Sequence, residues 1–163
     1  MNARDASLTT GSTPAKTIRL AAMNLLARRE HSFHELLQKL ASKFSDTSQF
    51  PLDLIETELQ RLADEFLQSD ERFVEAFVRS KKNAGKGPLH IQQSLKQKGV
   101  ASQLIDAELT MVHHDWFAQA ESVYLKKFRD FPILSPQEKA KRIRFMQSRG
   151  FMNQHYLSLL DVN

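Results

Sequence analysis

Three phrases recur along this chain about 50 residues apart: "LQKLASKF" (Leu37–Phe44), "QSLKQKGV" (Gln93–Val100) and "RFMQSRGF" (Arg144–Phe151). A period of that length marks one small structural unit per copy, each unable to bury its apolar face alone. Taking Lys43, Lys98 and Arg149 as equivalent, a leucine follows eleven residues later in the second and third copies, at Leu109 and Leu160. In the first copy the matching leucine is Leu59, and the five extra residues fall around the turn-forming "SDTSQFP" of Ser45–Pro51.

Each copy reads as three helices. "SFHE" at Ser32–Glu35 and "SPQE" at Ser135–Glu138 are capping boxes, in which the serine hydroxyl and the glutamate each satisfy a free backbone N–H. Pro136 and Pro88 suit a first helical position. Ser102 and Asn153, four residues past their anchors, are candidate N-caps of the third helices. Gly99 and Gly150 each follow a basic residue, as a left-handed C-terminal cap near the negative end of a helix dipole requires. Phe44 stands in that place in the first copy, so its helix must close differently. The apolar spacing is helical in Phe33, Leu36, Leu37, Leu40 and Phe44, in Phe73, Val74, Phe77 and Val78, and in Phe117, Ala120, Tyr124 and Phe128. These stripes read as core. With only five glycines and five prolines, long helices are favoured over a turn-rich β fold. The expected fold is all-α, with about nine helices in three tandem three-helix repeats forming an elongated, curved right-to-left array. The expected divisions are a disordered polar tail (1–16) and repeats at 17–67, 68–114 and 115–163.

No cysteine is present, which removes disulfides and thiolate zinc sites and fits a reducing cytoplasm. No apolar run is long enough to span a membrane, and the first residues lack a secretory signal's apolar segment. The net charge of +4 is unevenly spread. Ala76–Ile105 holds six basic residues and no acidic one, and Lys139–Leu160 holds five and none. Such zones suit a polyanionic or acidic partner, against the plainer reading of a solvated surface.

The stretch "NAGKGP" (Asn83–Pro88) resembles a phosphate loop but fails as a P-loop, because Gly87 stands where Ser or Thr must follow Gly85-Lys86 and Ser80 occupies the leading glycine position. Two readings remain: a plain basic connector, or a loop whose open amides and following helix N-terminus meet phosphate. The His113-His114-Asp115 run is expected on one helix, where neighbours point apart, and His31 with His34 straddles a capping box. No HExxH, GxSxG or other catalytic constellation is present, so no metal, nucleotide, cofactor or enzymatic activity is expected. The candidate contacts with a polyanionic partner are Arg79, Lys81, Lys82 and Lys86 around the loop, Lys96 and Lys98 on the next helix, and Lys139, Arg142 and Arg149 on one side of a later helix.

Taken together, "NLLARREHSFHELLQKL" (Asn24–Leu40), "SDERFVEAFVRSKKNAGKGPLHIQQSLKQKGV" (Ser69–Val100) and "RFMQSRGF" resemble the bacterial RecX recombination regulators. The middle stretch is the most specific, with Asp70-Glu71-Arg72-Phe73, Phe77-Val78-Arg79, Lys86-Gly87-Pro88, Ile91, Leu95 and Lys98-Gly99. Phe44 departs from the family, which often has glycine there. The resemblance implies an elongated array of three-helix repeats. It also implies a monomeric cytoplasmic protein of DNA repair and the SOS response. Such a protein binds the RecA recombinase along its filament on single-stranded DNA, contacting that DNA directly or through RecA. It inhibits RecA's ATPase, strand-exchange and co-protease activities without chemistry of its own. The residues alone leave a second reading open: a helical DNA-binding protein using its tandem units like helix-turn-helix modules.

Overall fold

A computed structural model describes residues 11–130 and 133–161. Among them are nine helices and no strand: α1 (Pro14–Leu26), α2 (Phe33–Lys43), α3 (Leu52–Asp64), α4 (Asp70–Asn83), α5 (Pro88–Gln97), α6 (Ser102–Leu109), α7 (Trp116–Phe128), α8 (Pro136–Arg149) and α9 (Asn153–Leu160). The all-α expectation holds. Packing groups them into two compact units, the first ending at Phe73 and the second beginning at Val74. Residues 1–10 of the expected tail lie outside the described residues. Its last residues, 14–16, are helical, because Thr13 caps α1 by accepting from Lys16 N at 3.3 Å and Pro14 enters with φ already set.

In the first unit the apolar faces of α1, α2 and α3 meet. Ile18 and Ala22, Leu36 and Leu40, and Ile55, Leu59 and Leu62 are all at most 1% exposed. Each such leucine or isoleucine contributes about 2 kcal/mol by leaving water. Ser32 accepts from Glu35 N at 3.1 Å, as the capping box requires. The insertion before α3 is held by Phe44 and Phe50, whose rings stack at 4.3 Å. Phe44 ends α2 at φ −106°, outside the left-handed region, so that helix closes without a glycine corner.

In the second unit Val78, Ile91, Leu95 and Ile105 are fully buried. A further cluster joins Ala120 and Tyr124 of α7, Met146 of α8, and Tyr156 and Leu160 of α9. Ser135 accepts from Glu138 N at 3.2 Å, and Pro88 and Pro136 sit at helix starts. Gly99 and Gly150 adopt φ 72° and 89°, the expected left-handed ends. The expected caps Ser102 and Asn153 are displaced: they are the first residues of α6 and α9, behind Ala101 and Met152. Asn153 instead accepts the Tyr156 hydroxyl at 2.6 Å, while His155 Nδ1 takes the Met152 N–H at 3.3 Å. Phe117 does not belong to the core stripe assigned to it; it is 56% exposed.

Candidate functional site: a basic cleft in the second unit

The segment between α4 and α5 is a fixed corner. Gly85 N donates to Lys82 O at 2.8 Å and Lys86 N to Lys81 O at 3.0 Å, closing α4 through Gly85 at φ 74°. The next amides are spent on the end of α8: Gly87 N donates to Arg149 O at 2.7 Å, and Leu89 N to Gly150 O at 3.0 Å. The contact is backbone against backbone, since a Cβ on Gly87 would lie 2.5 Å from Gly150 O. The phosphate reading of "NAGKGP" is therefore corrected. Gly87 and Pro88 are buried, and the Gly87 and Leu89 amides at the α5 start already cap the carbonyls ending α8.

Docking this corner creates a cleft of about 530 Å³. Lys82 and Gly85 line one part, Lys126 and Lys127 of α7 another, and Phe145 and Arg149 of α8 the rest, with no acidic residue in the lining. Among the described residues no carboxylate pairs with Lys82, Lys126, Lys127 or Arg149. Aromatic and carbonyl contacts position Lys82, Lys127 and Arg149 instead. Arg149 lies 5.3 Å and Lys127 5.8 Å from the Phe145 ring centre, and Arg149 donates to Ala84 O at 3.5 Å. Both cations cover the ring, so the cleft presents charge more than an open stacking face. Lysines ending α4 and α7 are also favoured by the helix dipole.

Lys82 has a second tie. Its Nζ lies 5.1 Å from the Trp116 ring centre and donates to His114 Nδ1 at 3.1 Å. The His114 Nε2–H then donates to Glu108 at 3.0 Å. An ammonium can only donate and a carboxylate only accept, so this pairing makes Nδ1 the acceptor and Nε2 the donor. His113 and His114 sit on the α6–α7 connection, not on a helix, and Glu108, His113 and His114 bring ligand atoms within 4.8 Å of one another. Both His114 nitrogens are engaged, with Lys82 supplying the positive charge there. The histidine pair is thus part of a side-chain network.

The other expected contacts fall into distinct settings. Lys81 and Lys98 flank the Phe77 ring at 5.2 and 5.9 Å. Burial, with Lys86, Lys81 and Arg149 nearby, pushes the His90 imidazole below its ordinary range, so the loop's cations gather around a neutral ring. Arg79 is exposed and pairs with Glu75 at 3.4 Å, Lys96 is exposed in the last turn of α5, and Lys139 pairs with Asp161. Arg142 is corrected outright. It is 6% exposed, donates to Tyr124 Oη at 2.7 Å and Glu138 at 3.2 Å, and packs 4.5 Å from the Phe128 ring centre. Burial opposes its charge, but the bonds to Tyr124 and Glu138 outweigh it and raise its pKa. It is a structural cation, because a buried guanidinium persists only when fully bonded. Lys126 and Lys127 were missed because acidic residues on both sides break up the sequence charge there; the adjacent pair in a last helical turn was the available signal.

Comparison with known proteins agrees with this architecture. A family model described as the second three-helix domain of RecX matches residues 69–109, and one described as the third matches residues 114–154. The chain is 41% identical over 134 residues to the regulatory protein RecX of Pseudomonas entomophila (strain L48), covering 82% of this chain and 83% of that one. It is 40% identical over 137 residues to the regulatory protein RecX of Halorhodospira halophila (strain DSM 244 / SL1), covering 84% and 82%. The crystal structure of RecX from Lactobacillus salivarius has a similar fold, with a TM-score of 0.74 over 91% of this chain and 97% of that one at 21% identity.

Proposed function

This chain belongs to the RecX family of regulatory proteins, and on that premise we propose that it binds the RecA filament on single-stranded DNA. In this reading it inhibits RecA's recombinase, ATPase and co-protease activities without catalysing a reaction itself. The helices α1–α3, α4–α6 and α7–α9 act as three tandem three-helix modules. The observation that carries the proposal is the acid-free cleft, where Lys82, Lys126, Lys127 and Arg149 converge with no carboxylate partner among the described residues. Cations held in a concave site away from carboxylates suit phosphate oxygens or the acidic side chains of a filament. Lys81, Lys86 and Lys98 extend this positive surface; Arg79 and Lys96 are peripheral to it. Among the described residues no helix is long and apolar enough to cross a membrane, in keeping with a partner in the aqueous phase.

The test reverses Lys126 and Lys127 to glutamate, together and separately from a Lys81→Glu/Lys86→Glu pair. Lys126 and Lys127 are exposed, and each such change alters stability by only about 0.5 kcal/mol, so helicity and melting should persist in that variant. Inhibition of RecA ATPase should weaken about tenfold or more in the Lys126/Lys127 variant, and its salt dependence should flatten. Normal inhibition by that folded variant would refute the role of the cleft. Equal affinity for bare and RecA-coated strands, with RecA activity untouched, would instead favour the DNA-binding alternative.

A further inference from the structure

The second unit holds another concavity that shares no lining residue with the basic cleft. Its volume is about 630 Å³, and it lies among the starts of α5 and α7, the α6–α7 connection and α9. Four large apolar side chains line it while remaining open to solvent: Val112 at 101%, Phe117 at 56%, Leu89 at 47% and Met111 at 45% exposure. Val112 is the least expected. It stands in a turn, where polar residues cost nothing, and it contributes almost no burial to the fold.

That turn is rigidly held. Met111 N donates to Glu108 O at 3.2 Å and His114 N to Met111 O at 2.9 Å. Trp116 Nε1 donates to Leu109 O at 3.1 Å, and the His114 imidazole is fixed at both nitrogens. Phe117 is steadied by an edge contact with His155, 5.1 Å between ring centres. Aromatic and methionine side chains set in advance around a concave floor are what protein interface centres use, since little entropy is lost on contact.

The charge of the groove selects among occupants. Its lining contains Asp106 and Asp115 and no lysine or arginine, in a chain whose net charge is +4. Burial pushes His155 below its ordinary range and keeps it neutral, so the ring does not offset these carboxylates. A nucleic-acid backbone would meet like charge here, whereas an apolar side chain flanked by a cation would meet both features. We propose that this groove docks a segment of a partner protein presenting an apolar side chain beside a lysine or arginine. The inference rests on the reading above, that the chain acts by binding a protein, and it gives that contact a surface separate from the basic cleft.

The test uses purified RecA without DNA as one probe and an oligo-dT strand as the other. Val112→Glu places a charge at the exposed apex, and Asp106→Lys reverses the groove's field; both sites are exposed, so the fold should survive. RecA binding should fall about tenfold for Val112→Glu and about threefold for Asp106→Lys, as for an interface anchor and a rim charge. Val112→Ile should keep wild-type affinity, and oligo-dT binding should not weaken in any variant. Undiminished RecA binding by both charged variants would overturn the groove while leaving the regulatory reading intact. Failure of the wild-type protein to bind or inhibit RecA filaments on single-stranded DNA would overturn that reading and this inference with it, and failure to bind DNA-free RecA alone would overturn this inference only. Self-association of the wild type that Val112→Glu abolishes without loss of RecA binding would make the groove a contact between copies, and would also overturn the proposal.

Discussion

The first unit turns the end of α3 with Phe66 at φ 57°, whereas the second turns the end of α8 with Gly150 at φ 89°. Both residues occupy the left-handed region that L side chains avoid at a cost of about 1–2 kcal/mol. What differs is the space outside the backbone. Phe66 is 79% exposed, so its side chain has open space, and Arg72 secures the corner by donating to Phe66 O at 2.9 Å and Leu67 O at 3.2 Å. A Cβ on Gly150 would lie 2.4 Å from His90 Cβ and 2.5 Å from His90 N. Arg129, at φ 65° and exposed, shows that the second unit also tolerates a side chain where the corner is open. Glycine is thus required by close approach between segments, not by handedness alone.

The units also differ in how they use charge. In the first, Arg19 pairs with Glu65, Arg29 with Glu35, Arg61 with Glu58 and Arg72 with Glu30, all at 2.5–2.9 Å. In the second, the cleft cations have no carboxylate partner among the described residues, and the buried cation is Arg142. These four arginines of the first unit therefore close on carboxylates of the same unit, and the cleft's cations remain available to a ligand.

The sharpest test of the glycine contrast is Gly150→Ala. Left-handed strain and overlap with His90 together should cost about 4 kcal/mol in urea unfolding. Gly85→Ala shares the strain, but its Cβ would meet Val123 at an ordinary 3.4 Å, so a loss of only about 1 kcal/mol is expected. Equal losses at the two positions would break the argument from space.

Next in size is Arg142→Ala. Removing this buried cation deletes its packing on Phe128 and its bonds to Tyr124 and Glu138, and should cost about 3 kcal/mol. A fully stable variant with impaired filament binding would return Arg142 to the contact surface.

Phe66→Gly should act in the opposite sense. Relief of about 1–2 kcal/mol of backbone strain exceeds the roughly 0.5–1 kcal/mol entropic cost of glycine. A small rise in melting temperature is expected, and a fall would mean that the Phe66 ring packs.

The smallest effect concerns pH. Burial is the leading cause that lowers His31 in the first unit and His90 and His155 in the second from the ordinary 6.5. Between that value and the lowered ones the unfolded chain binds more protons, so stability falls as pH drops through 6.5 and levels off below the folded values. Amide exchange above and below this point should show a larger acid-induced loss in the second unit, which holds two of these rings. Stability that rises on acidification would contradict the sign.

The sequence was enough for an all-α array of about nine helices, the capping boxes at Ser32 and Ser135, the left-handed ends at Gly99 and Gly150, and the resemblance to the family. These follow from local rules: backbone bonds close within one turn, and side chains three or four apart share a face. Tertiary structure alone decided which cations became a cleft, because Lys82, Lys126 and Arg149 come from three helices, and a residue's charge does not show which helix lies opposite. The same reason explains the reversals. Arg142 and Arg149 are two turns apart on α8, yet the first faces Tyr124 and Phe128 in the interior and the second faces the cleft. Phe117 and Tyr124 share the apolar spacing of α7, but only Tyr124 meets a neighbouring helix that covers it. The Gly87 and Leu89 amides, open in the sequence, are taken by the last carbonyls of α8, some sixty residues away, because two chain segments approach closely enough to bond.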